Sequence, residues 1–348
     1  MTIYKTINDL APGSAVSAAD EVEVSQSGTS RSVTVFQLGS VIAPGSNIPV
    51  NAKAFGAVGD GVADDTAAIQ AALNTGHAVF LPKGRYRVTN MLSLPYGSGL
   101  FGETKQFSKI IVPTTFNLAA LGVIRIAAET GTFTNNEQAA TIKDIAIEFD
   151  QPDTAVRASL VQYPPAIYAT SSGRFVIQNI RIVRGWKGLW MPGNSGGVMV
   201  DNFEASCFNQ SVWMDDIFDV VHFSRLHLWA FGLTANQLTA FSDGNTIGLE
   251  AGRVDTLHLE DFFAINIPKG IWLHTGATNP PANVSFGQLT NIMLDNAGMV
   301  IENGTWNITN LYLTPGNYTA RGLIVTADNT LSTWVNVSNL LMRILSPP

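Results

Sequence analysis

A six-residue pattern, apolar–any–Asn-like–apolar–any–apolar, recurs eight times between residues 142 and 342. It reads IKDIAI from Ile142, IQNIRI from Ile177, VDNFEA from Val200 and FSRLHL from Phe223. It continues as VDTLHL from Val254, LTNIML from Leu289, ITNLYL from Ile308 and VSNLLM from Val337. The third positions are Asp144, Asn179, Asn202, Arg225, Thr256, Asn291, Asn310 and Asn339, 19 to 35 residues apart. Alternate residues of a strand share a face, so the apolar positions read as two short strands with inward side chains that meet at a corner. Such a corner needs left-handed backbone, which Asn tolerates better than any residue except Gly. Intervals of this size, with loops inserted in the longer ones, fit one coil of a parallel β-helix per repeat. A leucine-rich repeat would place helices between the strands, and these intervals carry no helix pattern.

Composition narrows the partners. The chain is only 14% charged, well below the usual quarter, as suits a turn-rich β protein with a polar rather than ionic surface. A net charge of −7 argues against nucleic acid, which requires a basic patch. The one cysteine, Cys207, rules out an internal disulfide framework and reads as a small core residue. The start, MTIYKTINDLAPG, has no basic segment followed by an apolar one, so no signal peptide is expected. No apolar run approaches the ~18 residues of a membrane span, so membrane insertion is not expected.

Three regions precede or form the stack. Residues 1–50 alternate in DEVEVSQSGTSRSVTVF around a Gln-Ser-Gly-Thr turn, which predicts a hairpin from Val22–Val24 into Val33–Phe36. Its flanks, LAPGSAVSAAD and IAPGSNIP, are linker-like. Residues 51–100 hold GDGVADDTAAIQAALN followed by VFLPKGRYRV. Here Gly56, Gly59 and Gly61 mark tight turns, Asp64 or Asp65 is a helix N-cap, and Ile69, Ala72 and Leu73 form one narrow apolar face. A single short helix ahead of a long β chain is suited to covering the open end of the stack. Residues 101–348 are the β-helix body.

The stretch from GDGVADDT to KGRYRV resembles the opening signature of the pectate-lyase superfamily domain found in many phage tailspikes. The resemblance implies a right-handed parallel β-helix. It further implies a protein of the virion tail that binds, and in many cases cleaves, a host surface polysaccharide. Residues 1–50 resemble N-terminal segments that anchor such proteins to phage tail or baseplate proteins. Catalytic carboxylates vary in position across these proteins, so none is carried over by motif. Pectate lyases proper use calcium and a basic residue; only Arg181 stands near the repeat face, and no cofactor is expected.

Candidate site residues come from stacking the repeats. One outward column runs Ala146, Arg181, Glu204, His227, His258, Met293, Tyr312, Leu341; another runs Glu148, Val183, Ser206, Trp229, Glu260, Asp295, Thr314, Arg343. Polar and aromatic groups gather between residues 181 and 295, while apolar Tyr312 and Leu341 at the far end suggest two more copies of the chain, a parallel homotrimer. Carboxylates on adjacent coils stand ~5 Å apart, near the spacing of retaining glycosidases. That spacing selects Glu260 and Asp295, with Trp229 on the coil before. The loop SVWMDDIFDVV adds Trp213, Asp215, Asp216 and Asp219, and the next loop adds Asp243 and Glu250. Catalysis is therefore expected from Glu260, Asp215, Asp216 or Asp295. Substrate binding is expected from Trp229, Trp213, His227, His258, Glu204 and Arg181. His227 and His258 stack on Glu204 in this register and read as a surface ladder rather than as a metal site. Glycan hydrolysis is the favoured activity; the alternatives are receptor binding without cleavage, and a bacterial polysaccharide lyase.

Overall fold

Eight corner residues carry the architecture. Asp144, Asn179, Asn202, Arg225, Asp261, Asn291, Asn310 and Asn339 all adopt left-handed backbone, with φ between 51° and 60°. Their side chains join coil to coil: Asn179 donates to Asp144 (2.5 Å), Asn202 to Asn179 (2.9 Å), Asn291 to Asp261 (2.9 Å), Asn310 to Asn291 (2.8 Å) and Asn339 to Asn310 (2.9 Å). Arg225 interrupts this ladder, and its guanidinium turns to Asp201 on the preceding coil. The chain, a computed structural model, is described over residues 21–26, 29–34, 49–127, 140–170, 172–193, 195–276, 285–314, 322–326 and 333–343.

One of the eight corners differs from the sequence expectation. It is Asp261, not Thr256, so the repeat there is LEDFFA from Leu259. Both hexads place apolar residues inward, and Val254, Leu257, Leu259, Phe262 and Ala264 are all buried. Chemistry separates them: Asp tolerates left-handed backbone and β-branched Thr does not. Asp261→Val should therefore destabilise the protein by about 1–2 kcal/mol, with a further loss from the orphaned Asn291 amide. Thr256→Val should stay within about 0.5 kcal/mol. Urea unfolding of the pair checks this; equal midpoints would reject the register.

Apart from the hairpin, every strand pairing is parallel, and the pairs resolve into three sheets of a right-handed β-helix. Sheet A, before the corner, aligns Val79, Leu100, Ile142, Ile177, Val200, Phe223, Leu259, Leu289 and Ile308 in one buried column. Sheet B follows the corner and aligns Ile110, Ile147, Ile182, Ala205, Leu228, Ala264, Leu294 and Leu313. Sheet C, which the hexads do not reveal, runs through Leu92, Ile124, Ile167, Leu189, Val212, Leu249, Ile271, Met299 and Leu323. Stacked like residues from three sides fill one continuous core along the axis.

The first coil replaces its sheet C strand with the helix α1 (Thr66–Leu73), whose Ile69, Ala72 and Leu73 are buried as expected. Gln70 shows how the helix closes the stack. Its amide accepts from the Ser93 N–H (2.8 Å) and donates to the Ser93 carbonyl (3.1 Å), pairing both groups of the first sheet C strand as a further strand would. Asp65 precedes α1 but makes no capping bond to it. It is buried and accepts instead from the backbone of Val58 and Gly59. Asp64 takes the Thr66 N–H and Asp60 those of Val62 and Ala63, so all three aspartates hold turns. Gly59 (φ 71°) is required twice over, because a Cβ there would stand 2.9 Å from the buried Tyr86 ring.

A second helix, α2 (Ala235–Phe241), corrects the expectation of one. Its signal was in the sequence: Thr234 and Gln237 form a capping box. It buries Ala240 and Phe241. The hairpin pairs Glu21–Gln26 with Thr29–Thr34, with Val22 in register with Val33. Val35 and Phe36, the linker-like flanks apart from Pro49, and residues 344–348 lie outside the described residues.

Candidate active site

Outward residues of sheet C form one column: Ser93, Arg125, Tyr168, Trp190, Trp213, Glu250, Trp272, Val300, Ile324. At ~4.8 Å per coil, Tyr168 to Trp272 spans ~19 Å. Trp190 and Trp213 pack with ring centres 4.4 Å apart and planes tilted by 48°. Lysines lie over two of the rings: Lys187 Nζ is 3.5 Å from the Trp190 centroid and Lys269 Nζ is 3.8 Å from that of Trp272. This is an aromatic rail with cations over two of its rings and one carboxylate set into it.

That carboxylate is Glu250, only 7% exposed between Trp213 and Trp272. Gln210 Nε2 donates to its Oε2 (2.5 Å), and His274 Nε2 meets its Oε1 at 3.2 Å. His274 Nδ1 faces the Thr275 carbonyl at 2.7 Å. A carbonyl can only accept, so Nδ1 carries hydrogen. Nε2 and a carboxylate oxygen are then two acceptors unless a second proton lies between them. The Glu250–His274 pair therefore holds one proton more than a neutral imidazole alone would carry. The charge balance on His274 agrees. Burial pushes its pKa down, but the hydrogen bonds to Glu250 and Thr275, with the charges of Glu250 and Asp215, outweigh burial and raise it above 6.5. Next along the groove, Glu302 Oε2 accepts from Trp272 Nε1 (3.0 Å).

The residues selected from sequence divide between faces. Trp213 is on the rail. Asp215, two residues further along the same strand, is 4% exposed, and its Oδ1 accepts from the backbone of Asp216 and Arg253. Asp216 occupies a left-handed turn and pairs with Arg253 (3.5 Å). Glu260 is not beside Asp295. The shift to Asp261 puts Glu260 on sheet A between Ser224 and Thr290, while Asp295 lies on sheet B between Ile265 and Thr314. His258 likewise leaves the His227 column and stacks on His222 at 4.7 Å. Glu204 and His227 do adjoin on sheet B, followed by Phe263, and Arg181 pairs with Glu204. Trp229 lies beyond the end of that strand, 41% exposed. Among the described residues no three His, Cys, Asp or Glu side chains converge as metal ligands.

Sequence reasoning missed Trp190, Trp272, His274 and Glu302, and treated Glu250 as a loop residue. A signal existed. Trp190, Trp213 and Trp272 each fall eleven residues after a corner, at Asn179, Asn202 and Asp261. Taking Thr256 as the corner hid the third instance.

Residues 49–221 match a family model described as rhamnogalacturonase A/epimerase, pectate lyase-like. The coils of this stretch continue in the same register to Met342. A curated relative, mannuronan C5-epimerase AlgE1 of Azotobacter vinelandii, is 61% identical over 44 residues, 11% of this chain and 3% of that protein. The chain spans a fifth or less of the length of such curated relatives. Among solved structures, the A-module of mannuronan C-5 epimerase AlgE6 from the same organism has a TM-score of 0.60 at 15% identity, covering 84% of this chain and 79% of that one. ORF18 of Geobacillus virus E2 has a TM-score of 0.53 at 13% identity, covering 91% and 68%. At these identities the likeness is one of fold.

Proposed function

We propose that the chain is a phage tail receptor-binding protein that lays a cell-surface polysaccharide along the sheet C rail and hydrolyses it, with Glu250 and His274 supplying the proton. One observation carries this: a proton-sharing carboxylate–imidazole pair set into a column of three tryptophans. Tryptophan faces take sugar rings through apolar contact, and the lysines over them favour an acidic polymer. The pair protonates the departing glycosidic oxygen. Glu302 lies two coils from Glu250 and two residues past its column partner Val300, roughly 12 Å between backbones at the strand spacings, and its side chain supplies the second carboxylate that activates water. The carbohydrate-active relatives and the viral neighbour support the reading. Residues 1–50 serve as the anchor to phage tail or baseplate proteins, and exposed Leu341 on the last coil, 63% accessible, is covered in a homotrimer in the virion tail.

A second reading, recognition without cleavage, is favoured by the depth of Glu250. Incubation with purified capsule or lipopolysaccharide, followed by size-exclusion chromatography with mass detection, decides between them. The expected result is shortened polymer bearing new reducing ends, from a protein eluting at three times the chain mass. Bound polymer of undiminished size would reject hydrolysis, products with an unsaturated sugar would make it a lyase, and a monomer would reject the trimer.

A further inference from the structure

Sheet B carries a separate cleft of about 290 Å³ lined by Lys105, Lys109, Glu148, Arg181, Arg184 and Phe231. Two loops close over it. Residues 103–107 reach across the coils, where Lys105, itself 5% exposed, contacts Glu204 (2.9 Å) and Asn202 (3.4 Å). From the other side, residues 229–232 fold down so that the Phe231 carbonyl accepts from Ser206 (2.9 Å) and that of Gly232 from Arg184 (3.2 Å). In the outward column the small Ala146 stands between Lys109 and Arg181. Lys105 and Arg181 pair with Glu204 and Lys109 with Glu148, while Arg184 turns to backbone carbonyls, so the cleft lining carries a local positive excess on a chain of net charge −7.

The donors are not used up. Arg181 commits Nε to Glu204, while Arg184 commits Nε to the Phe149 carbonyl and Nη1 to that of Gly232. Both Nη groups of Arg181 and Nη2 of Arg184 have no protein partner among the described residues. Beside them the Phe231 ring, with the Arg181 guanidinium 5.4 Å from its centre, gives an apolar wall continuous with Trp229. A guanidinium fork suits a planar carboxylate, and an aromatic face suits a sugar ring. The volume lies at the small end of ligand clefts, room for one ring rather than a chain.

We infer that this cleft is a second saccharide site that takes one uronate residue, its carboxylate on Arg181 and Arg184 and its ring against Phe231. It is independent of cleavage at Glu250. The test is a titration of the full chain with glucuronate, glucose and inorganic sulfate, read by NMR of the arginine side chains. Glucuronate should bind at least tenfold more tightly than glucose. Arg184→Gln should weaken it about tenfold, the charge and a donor being lost, and Phe231→Leu should weaken it several-fold. Trp213→Ala, which disrupts the sheet C rail, should leave it unchanged. Equal affinity for glucose, sulfate binding as tight as glucuronate with no effect of Phe231→Leu, or loss on Trp213→Ala would each overturn the assignment. So would absence of saturable binding.

Discussion

Glu250→Gln is expected to lower the rate of polysaccharide cleavage by roughly 10²–10⁴-fold, the range for removing a general acid, while the polymer still binds. Gln keeps the shape of the side chain, so the three tryptophans stay in place; what disappears is the charge that holds the extra proton on His274. The pH profile provides the second readout. His274 is raised above its ordinary 6.5, and the active form is the one with both protons. Cleavage should therefore be highest at low pH and fall as pH rises through the raised value. Stability follows the same sign. The favourable pairing is fully present below the unfolded pKa near 6.5 and is lost as pH rises through the folded pKa. In Glu250→Gln that fall in stability should move to lower pH. Cleavage at the parent rate, or a pH profile that does not move, would remove Glu250 from the mechanism.

Phe203→Ala should remove about 3–5 kcal/mol of stability, a large share of the ~5–15 kcal/mol typical of a folded domain. Phe203 is fully buried in sheet B, between Ile180 of one coil and Leu226 of the next. Truncation opens a cavity that neither neighbour can fill without leaving its own column. Urea unfolding should show a lower midpoint with little change in slope. A loss below about 1 kcal/mol would mean that the stack collapses around the gap.

Sheets A and B could be read from the sequence because their corner has a chemical requirement. Left-handed backbone selects Asn or Asp, and the apolar positions on either side follow at fixed offsets. Sheet C has no such marker. Several of its strands are three residues long, such as Ile124–Ile126 and Ile167–Ala169, and the turns that enter it vary in length. The coil containing α2 separates Arg225 from Glu250 by 25 residues, where three other coils use eleven. The Glu250–His274 pair was hidden for the same reason. Glu250 and His274 are 24 residues apart and meet only because one coil returns the chain to the same face. Glu260 shows the opposite failure. It looked paired with Asp295 because two hexads share an inward phase, and only the backbone preference of Asp261 separates them.

The Lys105 loop has a mechanical consequence. A solenoid whose coils touch only their neighbours can fray from either end, one coil at a time. Lys105 fastens an early coil to Asn202 and Glu204, 97 and 99 residues on. Arg157 and Asp153 fasten the middle of the chain to Asp243 and Thr234 in the same way. From Gly252 onward the described side-chain hydrogen bonds reach only the adjacent coil. The chain is thus a rod with one reinforced end and one zipper-like end. Force applied through residues 1–50 meets the reinforced end first, so a load transmitted from that side reaches the sheet C tryptophans before any coil beneath them peels away.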